Sequence, residues 1–186
     1  MILGPSDGSG SGYGSREDAD VRLYMMRHGP AEDQAVSGRD GDRALTASGR
    51  ERVRRVGHVL AKADEAPLHV ITSHLVRAVQ TAEIVAVVTK LGDRGGSVDV
   101  RRELAPSGQA QHLARELVRE GRKRVLLVGH EPDLTGLVAA LVGRFGRPFE
   151  KAMVVGLELS AAEDSNGARI RFFLDPKTLE LEMVPR

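Results

Sequence analysis

Six short apolar runs punctuate the chain, near 22–26, 68–72, 97–100, 124–128, 153–159 and 168–174, and each reads as a strand buried on at least one face. Between them the apolar positions take helical spacing. Residues 46–62 place Val53, Val56, Gly57 and Leu60 on one face behind the hydroxyl of Thr46, a cap candidate, and the arginines at 50, 52, 54 and 55 read as a solvated face. The same reading predicts helices over 75–91, 110–120 and 134–141. Strands alternating with helices predict an α/β layer structure. The last two runs are joined through Glu163-Asp164-Ser165-Asn166-Gly167, which predicts a hairpin because Asn-Gly tolerates positive φ at little cost. No internal repeat is visible.

Composition narrows the picture. Residues 1–20 interleave Gly4, Gly8, Gly10, Gly12 and Gly14 with serines and are expected to form a disordered tail, because so few apolar groups offset no ordering entropy. The Gly-x-Gly-x-Gly at 10–14 lacks the preceding strand and following helix of a phosphate loop. The remaining 21–186 then form one domain. The 27 Lys and Arg against 26 Asp and Glu give no basic field of the kind that marks nucleic-acid binding. With no cysteine, disulfides, thiolate catalysis and Cys-based metal centres are excluded. No apolar stretch nears the roughly 20 residues that cross a bilayer. The start of the chain lacks the pattern of a secretory signal, so the expectation is a cytoplasmic protein without a membrane partner.

The candidate chemistry sits at strand ends. Arg27-His28-Gly29 closes the first run, Gly129-His130 closes the fourth, and Arg77 follows the second at the start of a helical pattern. Ligands of open α/β sheets bind beyond the carboxyl ends of the strands, so two imidazoles and two guanidinium groups are expected to converge on one anion site. A single strand-end histidine is more often structural. Two with two arginines reverse that weighting. A neutral His28 would attack phosphorus, while Arg27, Arg77 and a protonated His130 would lower its pKa and grip the phosphoryl oxygens. No metal or cofactor is needed for that chemistry. His58, His69, His74 and His112 show no ligand spacing and read as structural or surface residues. Glu131, beside His130, is a candidate acid or a cap for the next helix.

Three blocks in order, Leu23 to Gly29, Thr72 to Ala82 and Val128 to Glu131, resemble the signature blocks of the histidine phosphatase superfamily. Within it, the chain resembles the small SixA-type phosphohistidine phosphatases. The resemblance implies a three-layer α/β/α fold of the phosphoglycerate mutase-like type, with a mixed, mostly parallel sheet flanked by helices. It also implies a covalent phosphohistidine on His28. Glu103 stands where larger relatives carry an acid, followed by a departure from their pattern at Ala105-Pro106-Ser107-Gly108. His74 stands where relatives usually have proline, and Lys151 falls at a position that suggests a pocket-edge group. The implied activity is a metal-independent phosphatase acting on phosphohistidine of a signalling or carrier protein. A small-molecule phosphomonoesterase for a sugar, nucleotide or cofactor phosphate and a non-catalytic phosphate-binding module are the alternatives.

Overall fold

The computed structural model describes residues 21–159 and 167–185. The predicted tail 1–20 and residues 163–166 of the predicted Asn-Gly turn lie outside them. The chain runs β1 Val21–Arg27, α1 Ala47–Lys62, β2 His69–Thr72, α2 Val76–Val88, β3 Val98–Val100, α3 Ala110–Arg119, β4 Val125–Gly129, α4 Asp133–Val142, β5 Val154–Leu159, β6 Ala168–Leu174 and β7 Leu181–Met183. The strands form one sheet in the order β3-β2-β4-β1-β5-β6-β7. Strands β1 to β4 are mutually parallel, β5 and β7 run against them, and β6, antiparallel to β5, shares the direction of β1.

The period-2 alternation of β1 divides the core. Leu23 and Met25 face a layer that includes Leu113 and Leu117 of α3 and Leu134 and Val138 of α4. Tyr24 and Met26 face the opposite layer, with Val53, Val56 and Leu60 of α1 and Ala78, Ala82 and Val85 of α2. The sheet is therefore covered on both sides, and β1 and β4, at its centre, are buried along most of their length. Such strands read as continuous apolar runs, which is why they were legible.

Thr46 caps α1 as expected, its hydroxyl accepting from the Gly49 amide at 2.9 Å. Differences from the sequence reading sit at element ends. The second helix stops at Val88 rather than 91, because Lys90 takes a positive φ of 53° and Leu91 turns back to be buried. Leu75 is its extended cap rather than its first residue. β7 was not foreseen: it is a three-residue edge strand, half-exposed to exposed.

Candidate active site

The register of two neighbouring strands builds the site. β1 and β4 are paired with Arg27 opposite Gly129, so the next residues, His28 and His130, emerge side by side with ring centroids 5.1 Å apart. β2 lies on the far side of β4, and Ser73 at its end donates its amide to the Val128 carbonyl at 3.2 Å. That brings the Ser73 hydroxyl to 2.7 Å from His130 Nε2. Arg77, in the first turn of α2, reaches back so that its Nε–H donates to His28 Nε2 at 3.3 Å. Thr81 lies one turn later. Its hydroxyl accepts from the Gly29 amide at 3.0 Å and donates to the Arg77 carbonyl at 2.7 Å, tying the His28 turn to α2.

The tautomer of His28 follows from its neighbours. The Gly29 carbonyl accepts from Nδ1–H at 2.7 Å, so the lone pair is on Nε2, the nitrogen that meets Arg77. Close packing holds this turn, since a Cβ on Gly29 would lie 2.6 Å from a Val53 methyl. Burial pushes His28 down to about 4, and the charges of Arg77, Arg27 and Lys151 add to that against the contrary effect of the Gly29 hydrogen bond. At neutral pH the ring is a neutral base whose Nε2 lone pair faces the Arg77 guanidinium.

His130 corrects the expectation of a protonated second imidazole. Burial first, then the neighbouring His28, Arg77 and Arg27, push it down to about 3, with Asp40 acting in the opposite direction. Both rings are neutral before an anion arrives. His130 Nδ1 and Arg27 Nε are buried and have no hydrogen-bond partner among the described residues. Arg27 is anchored instead through Nη1, which donates to the Phe149 carbonyl at 2.7 Å.

The other candidates separate. Lys151 is in the turn before β5, whose Ala152 amide donates to the Arg27 and His28 carbonyls at 3.1 Å; its charge acts on His28 from there. Glu103 lies in a 3-10 turn, Arg102–Leu104, where its carboxylate accepts from Arg101 at 2.6 Å. The Arg101 guanidinium holds it below the usual carboxylate range. Glu131 accepts from the Thr135 hydroxyl at 2.8 Å, within the first turn of α4. Sequence reasoning missed Ser73, Asp40, Thr81 and the Phe149 carbonyl. Only Ser73 carried a signal, as the residue just past a strand end. Among the described residues, no three His, Asp or Glu side chains gather as a metal-ligand set.

A neutral imidazole at the end of a central parallel strand, beside a second imidazole and two arginines, is an arrangement suited to binding a phosphoryl group, on an α/β fold of the phosphoglycerate mutase-like class. Residues 23–105 match the model of the histidine phosphatase superfamily (branch 1). A protein of Picosynechococcus sp., described as uncharacterized, is 36% identical over 151 residues, covering 76% of this chain and 87% of its own. Glucosyl-3-phosphoglycerate phosphatase of Mycolicibacterium vanbaalenii is 41% identical over 85 residues, 43% of this chain and 34% of that protein. The solved protein histidine phosphatase SixA, complexed with tungstate, superposes with a TM-score of 0.76 at 27% identity, over 86% of this chain and 100% of that one. The chain belongs to the histidine phosphatase superfamily and is a phosphatase of the SixA type.

Proposed function

We propose that the protein hydrolyses phosphohistidine on a partner protein through a phosphoryl group held on His28. The observation that carries this is the orientation of His28: Nδ1–H is spent on Gly29, and the Nε2 lone pair faces the arginine that would receive the phosphoryl oxygens. In the first step the Nε2–P bond forms as the substrate P–N bond breaks, and the leaving imidazole takes its proton from solvent. Water then attacks phosphorus, the Nε2–P bond breaks, and inorganic phosphate leaves with the proton balance restored by solvent. Arg27 and Arg77 stabilise charge on the equatorial oxygens, worth most in this buried setting. In this reading Ser73 is the donor of its 2.7 Å contact with His130 Nε2, so that the ring proton lies on Nδ1 and neutral His130 donates to the phosphoryl group.

Substrate class follows from the acid problem. An alkoxide needs a proton to leave, whereas a phosphorylated imidazole does not need a dedicated enzymic acid. Glu103 is held ionised by Arg101, which makes it a poor proton donor, and the Glu131 carboxylate accepts from the Thr135 hydroxyl in the first turn of α4. This favours phosphohistidine, in line with the structural likeness to SixA. The partial likeness to glucosyl-3-phosphoglycerate phosphatase supports a second reading, a small sugar-phosphate substrate. A cytoplasmic location and a catalytic domain over 21–186 belong to the proposal; no helix among the described residues is long and apolar enough to cross a membrane. The test is a kcat/KM comparison of a phosphohistidine peptide with a panel of phosphate esters that includes glucosyl-3-phosphoglycerate. The proposal expects the phosphoramidate to be preferred by at least about tenfold, a difference of roughly 1.4 kcal/mol in the barrier. Preference for an ester would replace it with the second reading.

A further inference from the structure

The loop between β1 and α1 carries a carboxylate that reaches the reactive pair. Asp40 meets both terminal nitrogens of Arg77: Nη1 donates to its backbone carbonyl at 2.8 Å and Nη2 to Oδ2 at 3.0 Å. The donor left facing His28 Nε2 is Nε–H, at 3.3 Å. The loop holds Asp40 from the other side as well. Arg43 donates to Oδ1 through Nε at 2.8 Å and through Nη2 at 2.7 Å, and its Nη1 donates to the Glu32 carbonyl at 3.0 Å. The base of the loop is closed by the bridge between Ala31 and Leu45, and the Leu45 amide donates to Gln80 Oε1 at 2.7 Å. Gln80 is on α2, the helix that bears Arg77, so loop and guanidinium share one frame.

We propose that Asp40 is a positioning residue for the phosphoryl transfer: it occupies the outer end of Arg77 so that the Nε edge is presented to the phosphoryl group on His28. This rests on His28 being the nucleophile. A guanidinium offers five N–H donors in a fixed planar fork. Fixing its outer end sets the plane of the inner edge and removes the rotations that transfer would otherwise have to freeze. The contact joins a buried guanidinium, 5% exposed, to a carboxylate that is 64% exposed, so Asp40 itself buries little and its main structural consequence is the orientation of Arg77. The carboxylate is nonetheless held ionised. Desolvation works against it, and the hydrogen bonds from Arg77 and Arg43 outweigh that.

The test compares wild type with Asp40→Ala, Asp40→Asn and Arg43→Ala, using a chromogenic aryl phosphate as substrate and orthovanadate and inorganic phosphate as inhibitors. Misplacing one catalytic group by about 1 Å can cost about a hundredfold, so Asp40→Ala is expected to lower kcat about tenfold to a hundredfold while KM moves less than about threefold. Orthovanadate, which mimics the five-coordinate transition state, should weaken in parallel, and inorganic phosphate should bind nearly as before. Asp40→Asn should fall between, because its amide oxygen still serves Nη2 while the Arg43 contact is lost. Arg43→Ala should act in the same direction and less. Unchanged kcat in Asp40→Ala would overturn the proposal, and so would tighter orthovanadate binding, which would make Asp40 a competitor of the phosphoryl group. A matching loss of melting temperature in both Asp40 variants would overturn it too, as a purely structural role. If wild type forms no adduct on His28, the nucleophile reading fails; if it does and Asp40→Ala equals wild type, only this proposal fails.

Discussion

Two buried polar clusters share the sheet, and they differ in their counter-ions. Toward the N-terminal part of β1, the Glu65 carboxylate accepts from the Tyr24 hydroxyl at 2.8 Å and from Arg171 at 2.9 and 3.0 Å. Glu158, paired across the sheet with Arg22, accepts from Arg169 at 2.9 Å and Arg171 at 3.0 Å. Burial raises Tyr24 far above its ordinary range, reinforced by Glu65, so the proton stays on the hydroxyl as a donor. Arg124, whose charge interacts with Tyr24 and Glu65, leaves its Nε without a hydrogen-bond partner among the described residues but has the Asp64 carboxylate at 3.3 Å. At the C-terminal end of β1, Arg27 Nε and His130 Nδ1 are also buried without a partner among the described residues, and Asp40 is the carboxylate that meets Arg77. A buried polar atom without a partner costs free energy, typically about 1–3 kcal/mol. The first cluster carries its own counter-ions; the second, under the function proposed above, is arranged for a negative charge that comes from the substrate.

That contrast can be broken at either end. Arg27→Ala or Arg77→Ala should cut kcat/KM by about a hundredfold to a thousandfold, the usual cost of losing a preorganised donor, with little change in the unfolding midpoint. Wild-type turnover in both variants would remove the pocket account. Glu65→Gln should show the reverse pattern. Breaking a buried pair leaves Arg171 and Tyr24 short of an anion and should cost about 3 kcal/mol in denaturant unfolding, while kcat stays within about twofold. A large loss of turnover without loss of stability would show that the two clusters are not independent.

The histidines sharpen the comparison through pH. Both have folded values beneath the ordinary 6.5, about 4 for His28 and about 3 for His130. The unfolded chain therefore binds more protons than the folded one below 6.5. Their contribution is intact above that pH and is lost progressively as pH falls through the window toward the folded values. Unfolding free energy measured between pH 7 and 5 should decline, and the double variant His28→Ala/His130→Ala should flatten the decline. An equally steep decline in the double variant would assign it to other groups. Inorganic phosphate, a ground-state anion that forms no bond to the ring nitrogen, should lessen the decline in wild type, since a bound anion favours the protonated rings. The smallest expected effect is on chelation: prolonged treatment with a chelator should leave turnover unchanged, because arginines and imidazoles carry the anion. Loss restored by a divalent ion would contradict this.

Much of this was legible in the sequence for a physical reason. His28, Arg27 and His130 follow apolar runs that are central parallel strands, and the carboxyl ends of such strands share one edge. Arg77 was legible because it opens the helix after β2. Asp40 was not, because it lies in a polar loop without periodicity and meets Arg77 across 37 positions of sequence. The neutral state of His130 was also hidden, since desolvation decides it and burial of a single ring cannot be read from neighbours in sequence. Ser73 looked like part of a strand-to-helix link, and only the pairing of β2 with β4 turns its hydroxyl toward His130.

Phosphoryl transfer by this pocket requires His28 as the nucleophile. Brief mixing with a labelled phosphoryl donor, followed by an acid-free quench and peptide mapping, should recover a phosphoramidate on His28 that is stable in base and labile in acid. His28→Ala should lose the adduct and turnover together, by about 10⁴-fold or more, because a covalent route without its nucleophile loses its first step. His130→Ala should still label, more slowly, as transition-state stabilisation weakens. No adduct in wild type, together with substantial phosphatase activity in His28→Ala, would mean that water attacks phosphorus directly and would contradict the account.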